Sequence, residues 1–172
     1  MSVSNTSKHI IRNIICFFSI FLIVVIDQFS KNLVVQNMKL HDEIPIIDNF
    51  FSLYYVRNKG AGLGLLADAR WVFMSLTTIV IIVAAALIII DHFKSVLANI
   101  SLVFIVAGGI GNMIDRVFIG EVVDFFQFKI RFFDFIFNVA DVFVTFGTIL
   151  FLVYYIFIFE RQKAKESVRS VE

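Results

Sequence analysis

The sequence predicts an all-α membrane protein: four transmembrane helices, with a small sheet outside the bilayer. Three observations carry this. Hydrophobic residues make up 59% of the 172 residues, with a mean hydropathy of +0.90, far above the composition of soluble domains. Four apolar stretches, roughly residues 10–28, 71–90, 96–114 and 136–159, each approach the ~20 residues that carry a helix across a bilayer. The two longer connections, residues 29–70 and 115–135, hold strand-like rather than helical patterning. Residues 1–172 therefore read as a single integral membrane domain.

The first run could serve as a secretory signal, but no small-x-small cleavage site follows "IFLIVVIDQFSKNLV" and further spans come after it; it is expected to be retained. The single cysteine, Cys16, lies inside this run, which excludes an intrachain disulfide or a redox pair. The next segment contains the only proline, Pro45, followed by "FFSLYYVRN", a β-branched and aromatic run of strand length. The second span, "WVFMSLTTIVIIVAAALIII", offers no polar group beyond Ser and Thr, and the turn "DHFKS" leads into the third, which ends in "GGIGNMIDR". The segment "GEVVDFFQFKIRFF" alternates enough to suggest another strand before the fourth span.

A net charge of +1 with scattered Lys and Arg gives no electrostatic case for nucleic acid. An even number of spans places both termini on the side of the "DHFKS" turn. Lys8, Arg12, Lys94, Arg161, Lys163, Lys165 and Arg169 lie in these parts, against eight basic residues in two loops about twice as long. Density thus puts both termini in the cytoplasm, with "ERQKAKESVR" as the local anchor.

A charge at the centre of a bilayer helix costs about 2.5–3.5 kcal/mol on insertion scales, so such residues normally face a protein interior and act there. Here they gather in "DQFSK", "NKGAGLG", "GGIGNMIDR", "VVDF" and "FNVAD", which alternation of the spans brings to one membrane face. Asn112, Asp115 and Arg116 share a helical face by spacing, and Asn138 with Asp141 repeats the three-residue offset. A strand or re-entrant turn could aim Asp124 at Asp141. Two carboxylates sharing a site cannot both ionise, so one holds a proton while the other stays charged, and the pair can activate a water and protonate a leaving group. His9, His41 and His92 are dispersed and lack the spacing of a zinc helix, so no metal or other cofactor is expected. Ser30 and Lys31 are neighbours and cannot face each other as a nucleophilic pair. The glycine clusters suit close helix packing better than phosphate binding, with Ala107 and Gly111 as a small-xxx-small pair. A competing reading is a proton-coupled transporter relaying through Asp115 and Asp141, but the second span and the distal half of the fourth leave no polar pathway. A purely structural membrane subunit leaves the convergent carboxylates unexplained.

In this order, "DQFSK", "RNKGAGLGLL", "GGIGNMIDR", "GEVVDF" and "FNVAD" resemble the motifs of lipoprotein signal peptidase, or signal peptidase II, over about residues 27–147. The resemblance implies an aspartic endopeptidase of the bacterial cytoplasmic membrane. Such an enzyme removes signal peptides from diacylglyceryl-modified prolipoproteins, cutting before the lipidated Cys. It further implies Asp124 and Asp141 as the catalytic pair. Asp27, Lys31, Asn58, Gly60, Asn112, Asp115, Arg116, Asn138 and Ala140 would bind substrate or support the site. An extracytoplasmic β-cradle, contact with membrane lipid and inhibition by globomycin are implied as well. Gly62 and Leu63 depart from the family's usual Ala and Phe.

Overall fold

The computed structural model describes residues 3–60, 70–130 and 133–159. Its helices are α1 (Val3–Asn37), α2 (Arg70–Ile89), α3 (Val96–Phe118) and α4 (Val139–Tyr154), the last continuing as a π-helical stretch, Tyr155–Phe159. The strands are β1 (Glu43–Ile47), β2 (Phe51–Asn58), β3 (Val122–Ile130) and β4 (Phe133–Phe137), forming one antiparallel sheet in the order β1-β2-β3-β4. The basic "ERQKAKESVR" segment with Arg161, Lys163, Lys165 and Arg169 lies outside the described residues, as do residues 61–69 with Gly62 and Leu63, and residues 131–132.

Among the described residues, three helical stretches are long and apolar enough to cross a membrane: Ser7–Asn37, Val96–Phe118 and Val139–Phe159. Met74–Ile89 is apolar but shorter. α3 packs against α1, α2 and α4; 61% of its most apolar window is buried, against 17% and 11% in the other two long stretches, so α3 is the centre of the bundle. A core of Cys16, Ile20, Ile23, Ala84, Ile88, Leu102, Val103, Val106 and Ala107 joins α1, α2 and α3. Glycine lets α4 approach. A Cβ on Gly108 would lie 2.4 Å from the Ala140 carbonyl oxygen, and one on Gly147 would lie 2.9 Å from the Ser101 carbonyl oxygen.

Element boundaries depart from the sequence reading in ways that matter for the site. α1 runs on to Asn37 instead of stopping near residue 28, so Asp27 and Lys31 sit inside a continuous helix. Residues 28–37 contain no Gly or Pro, and Val34 with Met38 is buried against Tyr55, Val123 and Phe125, which anchors this extension to the sheet. α3 likewise reaches Phe118, placing Asp115 and Arg116 in its last turn. It closes at Gly120, whose φ of 89° a residue with a Cβ rarely adopts; the N–H groups of Ile119 and Gly120 both donate to the Asp115 carbonyl. Residues 133–137, which straddle the expected end of the second loop and the expected start of the fourth span at residue 136, form β4, and among the described residues the sheet has four strands where sequence patterning indicated two.

The register places the sheet against the bundle. β2 precedes α2 and β3 follows α3, yet the two pair directly, with Val56 opposite Asp124 and Asn58 opposite Val122. Connections that are distant in sequence therefore meet at one end of the helices.

Candidate active site

Asp141 is fixed by the start of α4. Asn138 is the N-cap in an extended conformation (φ −129°, ψ −176°); its Oδ1 accepts from Asp141 N at 2.9 Å, while Asp141 Oδ2 accepts from Asn138 N at 3.2 Å. This reciprocal capping box satisfies two donors that a helix start leaves unpaired, and the helix dipole favours a negative charge there. The other oxygen, Oδ1, accepts from Asn112 Nδ2 of α3 at 2.7 Å.

Asp124 is positioned by β3 and is buried (2% exposed). Its Oδ1 accepts from Asn138 Nδ2 at 2.6 Å and its Oδ2 from Asn58 Nδ2 of β2 at 2.9 Å. Gly60 joins this end through its backbone, its N–H donating to Asn58 Oδ1 at 3.0 Å. Asn138 thus touches both acids, its amide nitrogen on Asp124 and its oxygen on the Asp141 N–H. Burial, and then the negative charge of Asp141, push the Asp124 carboxyl up to about 7, against the opposing pull of Asn58, Asn138 and Lys31. Asp141 is only partly buried, so the pair is open on its side.

Behind the acids lies a denser layer. Lys31 Nζ is 2.9 Å from Asp27 Oδ2, 3.0 Å from Asp115 Oδ2 and 3.1 Å from Asn112 Oδ1. Asp27 Oδ1 accepts from Ala140 N at 2.8 Å, and Asp115 Oδ2 accepts from Val123 N at 3.1 Å. Asn138 Nδ2 also reaches Asn112 Oδ1 at 3.0 Å. Half-buried Arg116 donates to the Asn112 carbonyl at 3.4 Å, and its positive charge acts on Asp141, Asp124 and Asp115.

All eleven residues singled out from sequence fall within this one constellation. Gln28 was not among them. Its Nε2 lies 3.1 Å from Asp27 Oδ2, 3.1 Å from the Gly111 carbonyl and 3.0 Å from Asp115 Oδ1. The signal was present, since a helix continuing past residue 28 makes Gln28 a polar residue inside a span. A separate line in the sheet, from buried Ser52 and Gln127 to exposed Asp134 at 2.6 and 2.7 Å, was also not foreseen; it braces β2, β3 and β4. Among the described residues no three His, Cys, Asp or Glu side chains gather as a metal-holding group.

The chain matches the family model for signal peptidase (SPase) II over residues 19–157. It is 43% identical over 147 residues to the lipoprotein signal peptidase of Geobacillus kaustophilus, covering 84% of this chain and 94% of that one. Against the lipoprotein signal peptidase of Clostridioides difficile it is 39% identical over 138 residues, covering 80% and 92%. The Fusobacterium nucleatum lipoprotein signal peptidase is 35% identical over 170 residues, covering 96% of this chain and all (100%) of that one. Two solved structures described as bacterial membrane enzymes superpose with TM-scores of 0.75 and 0.74, at 32% and 33% identity. They cover 82% and 83% of this chain, and 87% and 93% of their own. By sequence and by fold, the chain belongs to the signal peptidase II family of aspartic peptidases.

Proposed function

We propose that this protein cleaves the signal peptide from diacylglyceryl-modified prolipoproteins before the lipidated Cys, using a water activated between Asp124 and Asp141. One observation carries the reading: the single residue Asn138 holds both acids, its side-chain amide donating to the Asp124 carboxylate and accepting from the Asp141 N–H, while its backbone N–H donates to the Asp141 carboxylate. Asp124, holding the proton, donates to the scissile carbonyl oxygen. Asp141 accepts a proton from the water, whose oxygen attacks the carbonyl carbon. Collapse of the tetrahedral species returns a proton to the departing amine of the lipidated Cys, and no covalent enzyme intermediate forms. Asn112, Asn138 and Arg116 orient the acids, while Asn58 and Gly60 hold the sheet side of the site.

In this reading α2 is the fourth crossing, the sheet is an extracytoplasmic β-cradle, and both termini lie in the cytoplasm of a bacterial cell whose cytoplasmic membrane holds the protein. Acyl chains of the substrate stay in membrane lipid while its peptide bond meets the polar pocket. Globomycin is the expected inhibitor. The proton-coupled transporter reading finds no support among relatives that are peptidases by name.

Purified protein in detergent, given a diacylglyceryl-modified prolipoprotein, is expected to release the signal peptide. Asp124→Asn and Asp141→Asn are each expected to lower kcat by about 10³-fold, within the ~10²–10⁴ range of a single acid–base group. Cleavage retained by both folded variants would defeat the aspartic mechanism.

A further inference from the structure

We infer that Lys31 is a positioning residue that fixes the two acids relative to one another: it joins two buried carboxylates, each holding the backbone amide of the residue that precedes one acid. Asp115 Oδ2 accepts from Val123 N at 3.1 Å, and Val123 precedes Asp124. Asp27 Oδ1 accepts from Ala140 N at 2.8 Å, and Ala140 precedes Asp141. Both carboxylates meet the same ammonium, at 3.0 and 2.9 Å, so β3 and α4, which carry the two acids, are tied through one nitrogen supplied by α1. The inference rests on reading Asp124 and Asp141 as the reacting acids.

The geometry leaves this ammonium little freedom. An ammonium has three hydrogens, and three acceptors surround this one: Asp27, Asp115 and Asn112. Ala140 N is among the donors a helix start leaves without a partner inside the helix, and the side chain that satisfies it comes from α1. Space for that side chain depends on Gly111, where a Cβ would lie 2.6 Å from Asp27 Oδ2. Gln28 completes the layer by donating to both carboxylates.

A simple ion pair one helical turn apart would account for Asp27 with Lys31, but not for Asp115 or for either amide. Nor does stability account for the cluster. Asp27, Lys31 and Asp115 are 0%, 3% and 2% exposed; burying two carboxylates against one ammonium carries a desolvation penalty that ion pairing often fails to recover. Such an arrangement fits a geometric role better than a stabilising one.

Amide exchange in the full-length protein in detergent, with valine and alanine backbones labelled, tests this without reference to activity. In Lys31→Met the Val123 and Ala140 amides are both expected to exchange at least about tenfold faster than in wild type. Asp115→Ala should release only Val123, and Asp27→Ala only Ala140. On lipidated substrate, Lys31→Met is expected to lose about 10²-fold in kcat at nearly constant KM, the size of effect a 1 Å misplacement produces, and Lys31→Arg should recover most of it. If Lys31→Met does not fold, the two aspartate variants decide alone. Both amides staying protected in Lys31→Met, or either aspartate variant freeing both amides together with the rest of the chain, overturns the inference. Cleavage surviving in Asp124→Asn would instead remove the acid assignment, whatever the amides do.

Discussion

Asn138 and Asp141 show how one spacing can hold two meanings. A three-residue offset on an apolar run suggests side chains sharing a helical face, but here it is the distance from N-cap to the third helical residue, and the acid is part of its own helix's cap. Asp124 is harder to read, because a carboxylate in a polar loop is ordinarily solvated; only its pairing with Asp141 and the "GEVVDF" motif singled it out. Its proton makes pH a test. The carboxyl is raised from 3.8 to about 7, so between those values the native state holds a proton that the unfolded chain has released. Stability should therefore fall as pH rises across that window and level off above it. Denaturant unfolding in detergent should show this slope in wild type and its loss in Asp124→Asn. With Asp124 as the proton donor, kcat/KM should also decline as pH rises through about 7, measurable as the alkaline limb of the rate profile.

At the scale of elements, hydrophobicity located the helices but not their ends. Mean hydropathy drops after residue 28, yet nothing there breaks a helix, and burial of Val34 and Met38 against the sheet continues α1 for two more turns. The opposite error occurred at residue 136, where the fourth span was expected to begin: the apolar residues 133–137 form an alternating strand, β4, paired with β3 from Phe126 opposite Phe137 to Ile130 opposite Phe133. Glycines were legible as packing signals, although the closest approach lies at Gly108 rather than in the Ala107 and Gly111 pair. Gly108→Ala would set a Cβ 2.4 Å from the Ala140 carbonyl oxygen and 2.7 Å from Val144 Cγ2. The Ala140 carbonyl cannot yield without moving the first turn of α4. The expected outcome is a loss of about 1–3 kcal/mol, the usual cost of overpacking, read by thermal unfolding, together with reduced kcat because Asp141 moves with that turn.

For the whole molecule, the sheet and the far end of the bundle supply two independent markers of topology. β2 pairs with β3, which puts residues 43–58 and 122–137 on one side of the helices. At the opposite end His9 lies 3.1 Å from Asp91, and Arg12 pairs with Asp91 and donates to the Ile88 carbonyl at 3.2 Å, which binds the start of α1 to the α2–α3 turn. Charge density in the sequence pointed to the same grouping, but a count of Lys and Arg cannot decide whether α2 crosses. Strand pairing supports the proposed crossing, because α2 leads from the sheet's side to the turn's side. Exposed Lys39 and Lys94 then report on opposite faces. In a Cys16→Ser background, Lys39→Cys should react with a membrane-impermeant maleimide on intact spheroplasts, and Lys94→Cys only after the membrane is opened. Labelling of both sites from outside would mean that α2 does not cross. The reverse pattern would place the acids on the cytoplasmic side, away from a substrate cut outside it.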